Sequence, residues 1–343
     1  MMRQKYLRII FWLFLLTLPF QSAGFIDCTG LADFKPDNEN ANGLLYVLDN
    51  SNDSVYVFED VDNLSGDQDP VRTISGDNTL IKDPQALAID STRDILYVLD
   101  AAQDAVLVFT RASELDGDED VTRSFPIDGN PQSMSYDSSN DRLYVSDVAN
   151  ESILVWDDVS LAADNAGPNR IFDIGYIAST ILVDPVNDAL YVGDPDLKSV
   201  QVYLQPGGSS GTVNPDRSII KSITNEDDPE DVEEFESIDA LAVDTSDNVL
   251  FVADGQNEKV DIFESAFFLE GELEPDRQLL GDASLVTDEI KFLLFSDSKL
   301  YGVINDNQVA IWGDPDNLEG DIAPTRIINI KSANRIIAID VDI

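Results

Sequence analysis

The sequence predicts an all-β chain closed into a six-bladed β-propeller, with four antiparallel strands per blade. Three observations carry that prediction. The pentapeptide LYVLD stands at 45–49 and returns at 96–100. Variants follow as LYVSD at 143–147, LYVGD at 190–194, LFVAD at 250–254 and a degraded LYGVI at 300–304. Behind each copy comes one arginine (Arg72, Arg123, Arg170, Arg217, Arg277, Arg326), at intervals of 51, 47, 47, 60 and 49 residues. A period of this size means one supersecondary unit copied along an array.

Each unit resolves into four segments. The first reads ALAID at 86–90, SMSYD at 133–137, TILVD at 180–184, ALAVD at 240–244, FLLFS at 292–296 and IIAID at 336–340. The LYV segment is the second. The third reads VYVF, VLVF, ILVW, VQVY, VDIF or VAIW and ends on Phe58, Phe109, Trp156, Tyr203, Phe263 or Trp312. The fourth opens at the arginine, as in RTI, RSF and RII. Short runs of Val, Ile, Leu, Tyr and Phe, bounded by Asp, Asn, Gly and Ser, are strands and turns. No apolar run keeps a 3.6-residue period past two turns, which excludes helices. Four antiparallel strands per unit of about 50 residues form a propeller blade, and radial closure protects the sheet edges. The chain enters on a second strand and ends on a first strand. IIAID is therefore expected to complete the N-terminal blade, whereas a solenoid would need capping units.

The stretch PQALAIDSTRDILYVLDAAQDAVLVF, 84–109, resembles the NHL-repeat pattern and its YVTN-like relatives. In these a first strand ends in Asp and a second in Val-x-Asp, and the likeness extends over 43–343. The resemblance implies the fold and leaves function open, because such propellers serve as enzymes, receptors and scaffolds. The WD-type pattern fits less well, since its histidine and Trp-Asp pair are missing.

Ahead of the repeats, Arg3, Lys5 and Arg8 precede an apolar run from Ile9 to Leu18, closed by Pro19 and Ser22-Ala23-Gly24. That order predicts a signal peptide over 1–24, a linker over 25–42 and the propeller over 43–343. The expected location is secreted or periplasmic, with no membrane insertion after the signal is removed; a retained anchor is the competing reading. Cys28 is the only cysteine, so no internal disulfide forms. Asp27 precedes it where a lipoprotein site wants a small residue.

Sixty-six acidic residues face 21 basic ones, and histidine is absent. Losing Arg3, Lys5 and Arg8 with the signal takes the net charge from −45 to −48. Such a surface repels phosphate backbones and anionic lipids and attracts divalent cations or basic partners. It also fits solubility or adaptation to salt, since the Debye length is only about 3 Å at 1 M.

The absence of histidine excludes Ser-His-Asp and Cys-His machinery and His-ligated zinc. Gly207-Gly208-Ser209-Ser210-Gly211 fits G-x-S-x-G by coincidence, with no strand-to-helix elbow and no base. Asn52, Asn63 and Asn150 begin N-x-S sequons. The arginine at each fourth strand is expected to fork onto backbone carbonyls or a neighbouring carboxylate; a ring of arginines holding an anion is the alternative. Asp49, Asp100, Asp147, Asp194 and Asp254 end the second strands, where they either cap their own turns or hold cations. Asp116, Asp118 and Asp120 suggest calcium, a hard cation taking six to eight oxygens, without matching the EF-hand spacing. The fourth unit is the longest, and its acidic insertion offers Glu226, Asp227, Asp228, Glu230, Asp231, Glu233 and Glu234 as partner-binding candidates. These readings converge on an exported, non-catalytic, monomeric binding or scaffold protein. It would recognise a protein, glycan or cation-bearing ligand on its channel-mouth face, with calcium the one cofactor the composition suggests. A calcium-dependent lactonase or esterase of the gluconolactonase type is the alternative, and a matrix scaffold that holds calcium is a third reading.

Overall fold

The structure, a computed structural model, describes residues 43–224, 232–286 and 290–342. The signal, the linker and Cys28 lie outside the described residues. Six antiparallel sheets follow one another as blades. Blade 2 gives the plan: Pro84–Asp90 innermost, then Ile95–Asp100, Ala105–Thr110 and outermost Arg123–Pro126. Blades 3 to 6 repeat it, with innermost strands Pro131–Asp137, Ile181–Asp184, Ala240–Asp244 and Ile290–Ser296.

Blade 1 is built from both ends of the described chain. Its inner strand, Ile336–Asp342, pairs antiparallel with Leu44–Asp49 and closes the ring. The register corrects the letter match made above. Asp342 pairs with Leu44, as Asp90 pairs with Ile95 in blade 2. The segment equivalent to ALAID is therefore AIDVD at 338–342, two residues later than IIAID. Asp340 instead faces Tyr46, the position of Ala88 opposite Tyr97.

The recurring aromatics have a packing reason. The core consists of six apolar clusters, each lying between two adjacent blades. The aromatic of the second strand points forward: Tyr97 fills the cluster shared with blade 3, and Tyr301 the one that joins blade 6 to blade 1. The aromatic ending the third strand points backward: Phe109 packs against blade 1 and Trp312 against blade 5. Each interface thus receives one ring from either side, which fixes both positions in every repeat.

The loop between third and fourth strands clasps the preceding blade. A residue six before the arginine makes a parallel bridge to the neighbour's outer strand: Gly66 to Ile328, Gly117 to Ile74, Gly211 to Phe172, Gly271 to Ile219 and Gly320 to Leu279. These glycines have φ between 66° and 86°, which costs a residue with a side chain and costs glycine nothing. Blade 3 carries Asp164 there and shifts the left-handed residue to Asn165, whose N–H donates to the Ser124 carbonyl at 2.8 Å.

The arginine works in the opposite direction, as the forked reading expected. Arg123 donates to the carbonyls of Ser160 (3.0 Å) and Ala162 (2.6 Å) in blade 3. Arg277 reaches Pro315 (2.8 Å) and Asp316 (2.9 Å) in blade 6, and Arg217 reaches Phe267 in blade 5. Arg326 closes the circle on Val61 (2.8 Å) and Leu64 (3.1 Å) of blade 1. Arg170 instead pairs with Asp157 of its own blade, and Arg72 lies 3.9 Å from Glu59. Arg326→Ala is expected to cost about 2–3 kcal/mol, because a charged donor loses two carbonyls at the closing interface. Arg326→Lys should recover little, since an ammonium cannot fork. Urea midpoints check this against Arg111→Ala, whose exposed ion pair with Glu114 should be worth under about 1 kcal/mol.

Candidate functional site

The strand-ending aspartates are consumed by the turns. Asp49 accepts the N–H groups of Ser51 (3.0 Å) and Asn52 (3.2 Å), then those of Asn334 (2.8 Å) and Arg335 (3.1 Å). Asp100 accepts Gln103 (3.0 Å), Lys82 (2.7 Å) and Asp83 (3.1 Å). Asp147 does the same with Ala149 (3.1 Å) and Asn130 (2.9 Å), and Asp254 with Ser237 (3.0 Å). Each carboxylate therefore ties its own turn to the segment entering the first strand, which fixes the rim of the channel. Asp194 caps only Asp196 (3.1 Å) and Leu197 (3.0 Å), and burial raises its pKa. The five are buried at separate blades and do not converge.

The acidic loop is structural in the same sense. Asp116 accepts the Thr73 N–H (3.1 Å) and Asp118 the Asn78 N–H (2.7 Å), both across the joint with blade 1. Asp321 repeats the role of Asp118 one joint before closure, accepting Ala283 (2.6 Å) and Ser284 (2.9 Å). A Cβ on Gly76 would stand 2.3 Å from the Asp118 carboxylate, so glycine makes room for it. Asp120 joins no group of carboxylates among the described residues. The one set of three that comes together among them is Asp244, Asp247 and Asp316, which the sequence reading did not single out. It lies on the face bearing the turns between first and second strands, opposite the channel mouth.

Of the insertion, Glu226, Asp227, Asp228, Glu230 and Asp231 lie outside the described residues. Its return is described: Val232–Glu233 pairs antiparallel with Ile223–Thr224, and Phe235 is buried. Glu233 turns inward. Its carboxylate meets Lys221 at 2.8 Å and Lys259 at 2.7 Å, while Glu234 stays exposed. Lys221 is fully buried and also meets Asp254 at 3.0 Å and Asp261 at 2.9 Å. Burial alone would lower the pKa of this ammonium, but Asp261, Glu233 and Asp254 outweigh it and the net shift is upward. The sequence reading missed this centre, because nothing in the spacing of Lys221, Glu233, Asp254 and Asp261 shows that they meet.

The inner strands surround a channel of about 1150 Å³. Its mouth carries a set of polar groups, of which Gln85 recurs as Gln132 in blade 3. The Asn50 amide donates to Asp83 (2.8 Å) and to the Pro84 carbonyl (2.9 Å), Gln85 donates to Asp83 (2.9 Å), and Lys291 pairs with Asp306. Lower down, the register opposite the second-strand aromatic holds Ala88, Ser135, Leu182, Ala242 and Leu294 in blades 2 to 6, and Asp340 in blade 1. Asp340 accepts the N–H of Ile89 in blade 2 at 2.8 Å and its neighbour Val341 at 2.8 Å. Burial pushes its carboxyl up to about 6 against those two bonds.

That shift has a definite sign. Below the unfolded pKa of about 3.9 both states hold the proton and nothing is lost. As pH rises towards 6 the unfolded chain ionises first, so stability falls, and above 6 the full penalty of about 2–3 kcal/mol remains. Asp340→Asn loses that pH dependence but accepts only one of the two N–H groups, its amide nitrogen being a donor; its stability relative to the parent is therefore expected to be higher at pH 7 than at pH 4 by about that amount. Thermal melts at the two pH values check it.

The geometry defines a closed six-bladed β-propeller whose repeated polar residues hold the ring together. No family profile matches the chain, and no curated protein matches it in sequence. Among solved structures 1305 chains match, so the fold is widespread and does not by itself specify activity. One is a chain of the nidogen/laminin complex: TM-score 0.56, 14% identity, covering 88% of this chain and 98% of that one. That likeness shows the six-bladed propeller fold. No described helix is long and apolar enough to cross a membrane.

Proposed function

We propose that the protein is an exported, non-catalytic propeller scaffold that receives a basic protein partner on the face around the channel mouth. One observation carries the reading. The recurring strand-ending aspartates cap turns and Arg123, Arg217, Arg277 and Arg326 clasp the next blade, while the hydroxyls of the recurring Tyr46, Tyr97, Tyr191 and Tyr301 are buried between blades and do not line the channel. The features that do not repeat are Asp83 and Lys291 at the mouth, beside Asn50 and Gln85, and the acidic insertion. The matched solved chain comes from a nidogen/laminin complex, which supplies a precedent for this fold in a protein assembly. A net charge of −45 selects for a basic partner and speeds its approach. Kinship with the NHL-repeat group belongs to the same proposal and rests on the motif at 84–109.

A photo-crosslinking side chain placed at Gln85, at the mouth, and separately at Asp297, at the opposite end, tests it in the native extracellular fluid. A discrete adduct from position 85 alone, fading between about 0.1 and 0.5 M NaCl, is the expected result. Equal labelling from both positions, or none, would overturn it.

A further inference from the structure

We propose that the channel is a binding site for an amphipathic organic cation, with the ammonium group on Asp340 and the apolar body running up the tube towards the mouth. This goes beyond the scaffold reading and does not depend on it. Asp340 is the only charged residue in its register position around the ring. Its two hydrogen-bond partners are backbone N–H groups, from Ile89 and Val341. No ion pair to Asp340 occurs among the described residues; of the cations at or near the channel, Arg335 at the mouth donates to the Asn50 side-chain oxygen at 3.4 Å and the others pair with carboxylates elsewhere. Arg93 at the lower end pairs with Asp90 at 2.9 Å, and Lys291 at the mouth pairs with Asp306. A carboxylate held by two amide groups has lone pairs left for a further donor.

The walls set the rest of the ligand. Leu182 and Leu294 share the level of Asp340, and Phe292 and Ile337 stand above it, all lining the channel and partly exposed to it. Ser135 stands at the same level, but its hydroxyl already accepts the Val183 N–H at 3.0 Å. The wall of the tube is mixed: serines and threonines line much of it, Asp83 and Asp239 stand at the mouth and Asp90 and Asp297 at the lower end, while Leu182, Leu294, Phe292 and Ile337 give Asp340 an apolar stripe running towards the mouth. At about 1150 Å³ it exceeds what a small organic ligand needs. The anchor is two residues from the lower end of its strand and five from Arg335 at the mouth, so a chain of about eight carbons from the ammonium follows the apolar wall upward.

The test is calorimetry on the whole mature protein with n-octylammonium, octanol, octanoate and ammonium chloride as probes, in 0.1 M and 1 M NaCl. Saturable one-to-one binding of octylammonium that survives 1 M NaCl is expected. Octanol should bind at least tenfold more weakly, while octanoate and ammonium should give no saturable heat. Asp340→Asn should lower octylammonium affinity at least tenfold and leave octanol unchanged. A thermal melt showing the variant folded at the assay temperature separates loss of binding from unfolding. Equal affinity for octanol and octylammonium, or an unaltered affinity in Asp340→Asn, would overturn the anchor. Binding that disappears at 1 M NaCl would assign the heat to the diffuse surface charge and overturn the site.

Discussion

Lys221→Met is expected to remove about 3–5 kcal/mol of folding stability, the loss typical when one partner of a buried ion pair is deleted. Against a total of about 5–15 kcal/mol for a domain, that brings the ring near its unfolding threshold at neutral pH. The cause lies in what remains. Asp254 and Asp261, on neighbouring strands of blade 5, are fully buried, and without the ammonium they are left beside each other and the partly exposed Glu233 with no cation of their own. Lys259 stays 2.7 Å from Glu233 and compensates that carboxylate only. Two consequences separate this account from a simple packing defect. Acidification should narrow the gap between variant and parent, because protons then neutralise the buried carboxylates that the lysine neutralised before. Adding Asp261→Asn should recover part of the loss at pH 7, since one of the stranded charges is gone. Urea unfolding of parent, single and double variants at pH 7 and pH 5 measures both; a gap that widens on acidification would sink the explanation.

The same centre shows what the sequence could and could not disclose. The blades were legible because packing demands recur: each joint needs one aromatic from the second strand and one from the third. The arginine was legible for a related reason, since only a fork spans two carbonyls of the next blade. Lys221 was hidden because its partners lie at 233, 254 and 261, one in an unrepeated insertion, and only the fold brings them together. Asp254 looked like one more turn cap, and it also accepts the Asn257 amide of its own turn at 2.8 Å. Asp340 was hidden by a different effect. Within blades 2 to 6 the short turn between first and second strands fixes which residue ends the first strand, an aspartate in blades 2 to 5 and Ser296 in blade 6. In blade 1 that turn is replaced by the chain termini, so spacing gives no register, and matching letters selected Asp340 in place of Asp342. A shift of two residues keeps every side chain on its own face of the sheet, which is why the pattern alone could not reveal the error.

Closure at blade 1 therefore rests on a strand with no covalent turn to its partner, and removing residues 336–343 is expected to abolish cooperative folding. Ile336, Ile339 and Val341 are buried in the cluster that joins blade 6 to blade 1. Their burial is worth roughly 5–9 kcal/mol at about 1.5–3 kcal/mol each, comparable to the stability of a whole domain. The ladder to Leu44–Asp49 goes with them, leaving that strand as an unpaired apolar edge open to aggregation. A circular permutant distinguishes loss of closure from loss of mere bulk. Joining Asp342 to Gly43 through a copy of Ser91-Thr92-Arg93, with Gly43 (φ 70°) standing at the left-handed position of Asp94 (φ 55°), and opening the chain between Ser138 and Ser139, transfers the same two-ended arrangement to blade 3. The ladder between Pro131–Asp137 and Arg142–Asp147 would then close the ring without a covalent turn. That permutant should fold with a melting temperature within a few degrees of the parent, while the truncated chain should show no sharp transition. If the truncated chain melted cooperatively, the C-terminal strand would be an accessory and the ring would be held by the arginine and glycine clasps alone.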